Sequence, residues 1–409
     1  MTTLQTLLIF FSGYLMSRMA LATDVHRLLL ERLVSWSRGR MSRLILGVMV
    51  LSCVLSTFVP NALTILAVAP LLTLLLRRLS QAPRQTSSLL AVALVHGANI
   101  GGVASLIGSP ANLYLLLQLR LLKVADASML NVVNWAAFGV PSAIVLIAMS
   151  WCVMRVVARS AMASTWVVAP ESASADVARQ RRAQRVLLFW LGTWMAVLAC
   201  GALFDAISVQ RFFVDVLGKK MPLSLADLAA LMLFVGQLGL LLLGGEPLLR
   251  MRDLWRELPV KGLILGGAVL VVLGGLAYTG VLPWLAGRIE PAFRWTSIPF
   301  VAVVLLITST IFATEFFNNT TVATVAFPLA VAAAQAVNVH PLYMMIGVSL
   351  ASTCAFMTPL ATPVNALAFG ALPGVSLSLF VRIGALVNVF AALWLSICVR
   401  WWIPWVLGV

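Results

Sequence analysis

Residues 44–84 read LILGVMVLSCVLSTFVPNALTILAVAPLLTLLLRRLSQAPR. The apolar run Leu44 to Leu76 is interrupted once, at Val59-Pro60-Asn61-Ala62. Basic residues precede it (Arg32, Arg38, Arg40, Arg43) and close it (Arg77, Arg78, Arg84). Such residues collect on the inner side of a bilayer, and a single span would put the two clusters on opposite sides. Two short helices meeting at a midplane Pro-Asn tip satisfy both, so the run reads as a re-entrant hairpin. Non-helical backbone at that depth survives only if buried in protein or lining a wet cavity.

Composition agrees. Of 409 residues, 62% are hydrophobic and 10% charged, with mean hydropathy +1.03. A soluble domain carries roughly 25% charged residues. At ~20 residues per span, the apolar content suffices for about ten membrane elements, and the runs are too continuous for β-barrel strands. The net charge of +15 sits in the connections between apolar segments, so it signals topology and the lipid surface, with no nucleic-acid partner. The five cysteines form no CxxC pattern and read as packing residues.

Along the chain, Leu4 to Ala22 reads as a retained span, since Met1-Thr2-Thr3 lacks the basic start of a signal peptide. Residues 24–42 read as an amphipathic helix along the inner face. The run 89–122 is broken at Gly101-Gly102 and Gly108-Ser109-Pro110-Ala111-Asn112, the mark of a discontinuous helix. A regular span covers 131–154, completing an N-terminal repeat over 1–154, and a polar cytoplasmic linker covers 155–185. The C-terminal repeat, 186–409, holds spans near 186–206, 223–245 and 260–286. A second hairpin, 296–337, breaks at Asn318-Asn319-Thr320. A second broken helix, 342–372, breaks at Thr362-Pro363-Val364-Asn365, and a last span runs over about 376–399. The expected fold is an all-α polytopic membrane protein of about eight full spans plus two hairpins. The 28 basic residues then divide 20 inside and 8 outside.

The halves repeat in chemistry. Asn61 and Asn319 are each followed nine residues later by proline, Pro70 and Pro328. Five crossings separate the hairpins, so they enter from opposite faces, the inverted-topology arrangement of secondary transporters. Each break frees main-chain N–H groups at one half-helix and carbonyls at another. Helix N-termini near Ala62-Leu63 and Thr320-Thr321 favour an anion, while carbonyl, Asn, Ser and Thr oxygens suit a small cation. An anion can therefore be held at midplane without an arginine.

Residues 313–320 (ATEFFNNT) and 352–370 (STCAFMTPLATPVNALAFG) resemble the divalent anion/sodium symporter family, which includes sodium–dicarboxylate, citrate and sulfate cotransporters. The resemblance is specific over about 300–375, reasonable over 40–120 and hydropathic elsewhere. It implies sodium on both sides of a small anionic substrate, and a homodimer in a bacterial inner membrane working by an elevator motion. Carried over by position, one cation site comprises Ser56, Asn61 and the Gly108 carbonyl. The other comprises Thr314, Asn319 and the Ala361 carbonyl. The substrate set is Asn61, Ser109, Asn112, Asn319, Thr320, Thr362, Pro363 and Asn365. The first tip departs from the family's Ser-Asn-Thr, reading Pro60-Asn61-Ala62, which removes two hydroxyls and one amide donor. The second tip carries Asn318 where serine is usual.

Glu315 and His96 are the two titratable residues at depth. Intramembrane ionisable groups are functional candidates by default, so each is weighed as a coupling proton carrier against a hydrogen-bonded brace. No nucleophile, metal or nucleotide motif marks an enzyme, and no organic cofactor is implied. Two other readings stand beside sodium-coupled anion transport. One is a proton-coupled or antiporting member of the same superfamily (arsenite efflux or sodium/proton exchange). The other is a non-transporting scaffold or receptor that keeps the fold.

Overall fold

The computed structural model describes residues 8, 11–12, 15–16, 18–19, 22–23, 25–58, 61–80, 83–106, 108–168, 178–190, 192–193, 212–216, 219–223, 225–242, 247–250, 279, 299–359 and 361–408. The expected span at 260–286 lies outside them apart from residue 279, and most of the spans at 4–22 and 186–206 do as well. The chain forms two compact units, one of residues 1–32, 131–133 and 170–258, the other of 33–130, 134–169 and 259–409.

In the first unit, α7 (Leu225–Leu242) carries Gln237, which bonds the Ser12 hydroxyl. The Trp190 indole N–H donates to the same hydroxyl. Strands Phe212–Val216 and Lys219–Leu223 pair as an antiparallel hairpin, where the sequence suggested only a connection between spans.

The second unit holds the motifs. Its helices are α1 (Val25–Ser37, shared with the first unit at its start), α2 (Met41–Phe58), α3 (Asn61–Arg78), α4 (Thr86–Ala104), α5 (Pro110–Leu121) and α6 (Val132–Val157). After the linker follow α8 (Pro299–Thr314), α9 (Asn319–Ala336), α10 (Pro341–Ser352), α11 (Pro363–Ala371) and α12 (Leu377–Ile397). Each of the four apolar runs is interrupted between two of these helices, but at the expected Gly101-Gly102 break α4 runs on unbroken to Ala104, its glycines serving close packing on α2 instead. Among the described residues, four helices are long and apolar enough to cross a membrane: α2, α4, α6, and α12 continued to Leu407.

Helices α2 and α3 are a hairpin by their ends. Arg40, just before α2, bridges Thr165, and Leu79–Ser80, just after α3, pairs antiparallel with Val167–Val168. Both ends of the pair thus meet one strand at the C-terminal end of α6. The arms are longer than expected. Eighteen residues each rise about 27 Å, the length of a full span, with α3 continuing through Pro70. At the other end of α6, Asn134 donates to the Met129 carbonyl at 2.8 Å. His340, which follows α9, lies 3.3 Å from Asp126 in that same loop. The base of the first hairpin and the end of the second therefore lie at opposite ends of α6.

Helix α4 is the core. All but Ser87 of its 19 residues are buried, the pattern of a helix apolar all round. It packs most extensively on α2, and two glycines one turn apart permit this. A Cβ on Gly97 would stand 2.4 Å from the Met49 carbonyl oxygen, and one on Gly101 2.5 Å from that of Cys53. Small residues Ser52 and Ser56 face them, the close small-residue packing that membrane helices use in place of a hydrophobic drive.

Candidate functional site

Four asparagines and their neighbours build a polar centre around the breaks. Asn112, on the first turn of α5, donates through Nδ2 to the carbonyls of Gly102 and Ser105 at 2.8 and 2.9 Å, ten and seven residues behind it. Asn365, on the first turn of α11, donates to the carbonyls of Ala355 and Thr358 at 2.9 and 2.8 Å, also ten and seven residues behind. Each carboxamide thus satisfies carbonyls freed where the preceding half-helix ends. Ser109 and Thr362 cap the helices that follow: Ser109 accepts from the Ala111 N–H at 3.3 Å, Thr362 from the Asn365 N–H at 3.1 Å. The oxygens of the two clasps are also engaged, Asn112 accepting from the Ser349 hydroxyl at 2.9 Å and Asn365 from Asn99 at 3.2 Å. Both side chains are fully buried.

Asn99, which the sequence reading passed over, joins the halves. Its Nδ2 donates to the Ala355 carbonyl at 2.7 Å, which fixes the orientation of its amide because a carbonyl can only accept. Its Oδ1 must then accept, and it does so from Asn61 Nδ2 at 3.2 Å. Asn61 Oδ1 in turn accepts from the Ser56 hydroxyl at 2.6 Å. The only signal in the sequence is an asparagine close to glycines in an apolar run (Gly97-Ala98-Asn99-Ile100-Gly101), which marks a candidate but not its partner.

The structure brings Ser56, Asn61 and Gly108 together, as expected. The Asn61 carboxamide lies against Gly102, and the main chain of Gly108 packs on Gly101, Gly102 and the Ser56 carbonyl. On the other side, Thr314 ends α8 and its hydroxyl donates to the Ile311 carbonyl at 2.6 Å. Glu315 accepts from the N–H groups of Phe356 (2.8 Å), Met357 (2.8 Å) and Thr358 (2.7 Å), and from Asn388 Nδ2 at 2.7 Å. The Thr358 hydroxyl donates to the Glu315 carbonyl and accepts from the Ala361 N–H, tying the main chain at Thr314-Glu315 to that at Ala361. Asn319 and Thr320 open α9, where Asn318 caps the helix by accepting from the Thr320 N–H at 2.9 Å. Asn319 Oδ1 is buried and accepts no hydrogen bond among the described residues. Pro363 stands at the first turn of α11.

His96 is completely buried between the halves. Its Nε2 faces the Phe356 carbonyl at 3.1 Å and must carry the proton there, leaving Nδ1 to accept from Ser150 at 2.7 Å. Both ring nitrogens are spoken for, and the ring packs on Phe356 at 4.8 Å between centroids. Asn388, which the sequence reading missed, sits in the middle of α12, where nothing local marks its contact with Glu315.

A family profile described as "Citrate transporter" matches residues 2–348. The sodium-dependent dicarboxylate transporter SdcS of Staphylococcus saprophyticus is 24% identical over 429 residues, covering 98% of this chain and 77% of its own. The protein of the same name from Staphylococcus aureus strain NCTC 8325 is 25% identical over 430 residues with the same coverage. With most of its length matched, the chain belongs to the citrate transporter family and is an integral membrane transporter, not an enzyme.

Proposed function

We propose that the chain is a secondary active transporter of a small di- or tricarboxylate, coupled to sodium, in a bacterial inner membrane. The observation that carries this reading is the matched pair of asparagine clasps, Asn112 and Asn365. They hold open two helix breaks in a buried centre that offers dipoles and oxygens and, among the described residues, no Lys or Arg side chain. The names of the staphylococcal relatives support dicarboxylate as substrate and sodium as coupling ion.

In this reading α2–α3 and α8–α9 are re-entrant hairpins entering from opposite faces. The placement of their ends at opposite ends of α6 supports that arrangement. The N-terminal ends of α3 and α9 face the carboxylates of the substrate, with Asn319 and Thr320 as polar contacts. The carboxamides of Asn112 and Asn365 are consumed in holding the breaks, so they shape the site. Glu315 and His96 are braces: every polar atom of each already has a protein partner. Transport is by an elevator motion of the bundle that carries both breaks, in a homodimer.

Uptake of labelled succinate and citrate into proteoliposomes tests the reading. An inward sodium gradient should drive uptake of at least one of them, and replacing sodium by choline should abolish it. Uptake driven by a proton gradient without sodium, or no uptake of either substrate, would overturn it.

A further inference from the structure

His96 and Asn99 stand three residues apart on α4, on one face of the helix, and both are completely buried. Their donors go to consecutive residues of the other half. His96 Nε2 meets the Phe356 carbonyl at 3.1 Å. Asn99 Nδ2 meets the Ala355 carbonyl at 2.7 Å and Asn365 Oδ1 at 3.2 Å. Glu315 meanwhile holds the N–H groups of Phe356, Met357 and Thr358. The segment between α10 and α11 is therefore gripped on its N–H side by its own half. On its carbonyl side it is gripped by α4 as well as by Asn365. The Asn365 carboxamide passes that hold to the first turn of α11, where Thr362 and Pro363 stand.

The opposite grip is not built the same way. His96 and Asn99 precede the Asn112 clasp by sixteen and thirteen residues, and at the same distances before Asn365 stand Ser349 and Ser352. A hydroxyl has a single proton to give. Ser349 spends its proton on the Asn112 carboxamide at 2.9 Å, and Ser352 on the Ser349 carbonyl of its own helix at 2.8 Å. Neither hydroxyl donates to the main chain of the first break. The His96 ring, by contrast, is held from behind by Ser150 of α6 at 2.7 Å, with its other nitrogen aimed at the second break.

We propose that His96 and Asn99 are positioning residues for the substrate pocket: α4 of the first half sets the place of the second break, and with it of Thr362, Pro363 and the N-terminus of α11. Neither side chain touches the substrate; both act through the Ala355 and Phe356 carbonyls. The inference rests on the carboxylate-transport reading above and adds the residues that set its apparent affinity.

The test is the concentration dependence of uptake of labelled succinate or citrate, whichever the wild-type protein takes up. It is measured in proteoliposomes at saturating sodium, with rates normalised to folded protein. A side chain that only supports the fold changes the amount of active protein and leaves KM alone, whereas a misplaced pocket raises KM. His96→Asn puts its amide where Nδ1 stood, within reach of Ser150 but short of Phe356. His96→Gln extends a donor to the place of Nε2. His96→Asn should raise KM about threefold or more, and His96→Gln should keep it below that. Asn99→Ser, which withdraws the donor from Ala355, should raise KM by a similar factor, and Ser352→Ala should not. A smaller rise in either His96→Asn or Asn99→Ser overturns the proposal. So does a rise of that size, or loss of folded protein, in His96→Gln. If His96→Asn does not fold, Asn99→Ser carries the test, and failure of both to fold assigns the pair to the fold alone and overturns the proposal. A wild-type protein that takes up neither acid would instead defeat the transport reading itself, and this inference with it.

Discussion

At the scale of single residues, the asparagines divide by whether their amide groups are spent. Asn112 and Asn365 give both N–H bonds to main-chain carbonyls, so removing either takes a buried donor from two carbonyls at once, although Ser105 keeps the Gly108 N–H and Ala355 keeps Asn99. Asn319 has a buried oxygen with no partner among the described residues, so its removal breaks no such bond. Asn319→Ala should therefore abolish uptake while changing folding stability by less than about 0.5 kcal/mol, checked by transport beside thermal unfolding in choline. Asn365→Ala should instead lose about 2 kcal/mol or more of stability. Glu315 stands on the structural side of the same line. Glu315→Gln keeps the volume but brings an amide donor against the three N–H groups of Phe356, Met357 and Thr358. It should cost about 1–3 kcal/mol and lower uptake through loss of the folded break, without moving the pH profile of the residual activity. A shifted profile would return Glu315 to the role of proton carrier.

At the scale of elements, the contact between α2 and α4 is set by atoms that are missing. Gly97 and Gly101 let the helices approach until a β-carbon would collide with the Met49 and Cys53 carbonyls. That approach also accompanies the link from Ser56 in the last turn of α2 through Asn61, beyond its end, to Asn99 on α4. Gly101→Ala should overpack the contact and cost about 1–3 kcal/mol, with a lower melting temperature and reduced transport. Gly236→Ala, where nothing lies within 4 Å of the added carbon, should leave the melting temperature unchanged or slightly raised, since alanine favours a helix. Equal losses at both positions would show that the effect is not one of packing.

For the whole molecule, the decisive feature is which chain ends share a face. Arg40 and Leu79–Ser80 meet the strand around Thr165–Val168, while Asp126 and His340 meet at the opposite end of α6. In a membrane this puts residues 40 and 84 on one side and residue 123 on the other. Single cysteines at Arg40, Arg84 and Lys123 in a cysteine-free background, probed with a membrane-impermeant maleimide, should divide accordingly. Lys123→Cys should label in intact cells and the other two only after permeabilisation. Opposite labelling of residues 40 and 84 would turn the hairpin into a single span and invert everything after it.

Hydropathy and the placement of arginines determined, from sequence alone, that the chain lives in a membrane and where its four apolar runs break, except that α4 continues through the Gly101-Gly102 break expected there. Those are local properties, read from runs of side chains that water rejects and from clusters of charge that the bilayer sorts. The paired motifs at Asn61 and Asn319, and at Asn112 and Asn365, were legible for the same reason, because each break needs its own capping and clasping residues nearby. The tertiary structure alone decided which partners those residues bond. The two ends of the Asn61 amide meet Ser56 and Asn99, partners that its local sequence does not single out. Asn99 and Asn388 gained their meaning only from partners 256 and 73 residues away. A carboxamide carries a donor and an acceptor whatever its neighbours, and only the packing of distant segments decides which partner each of them finds.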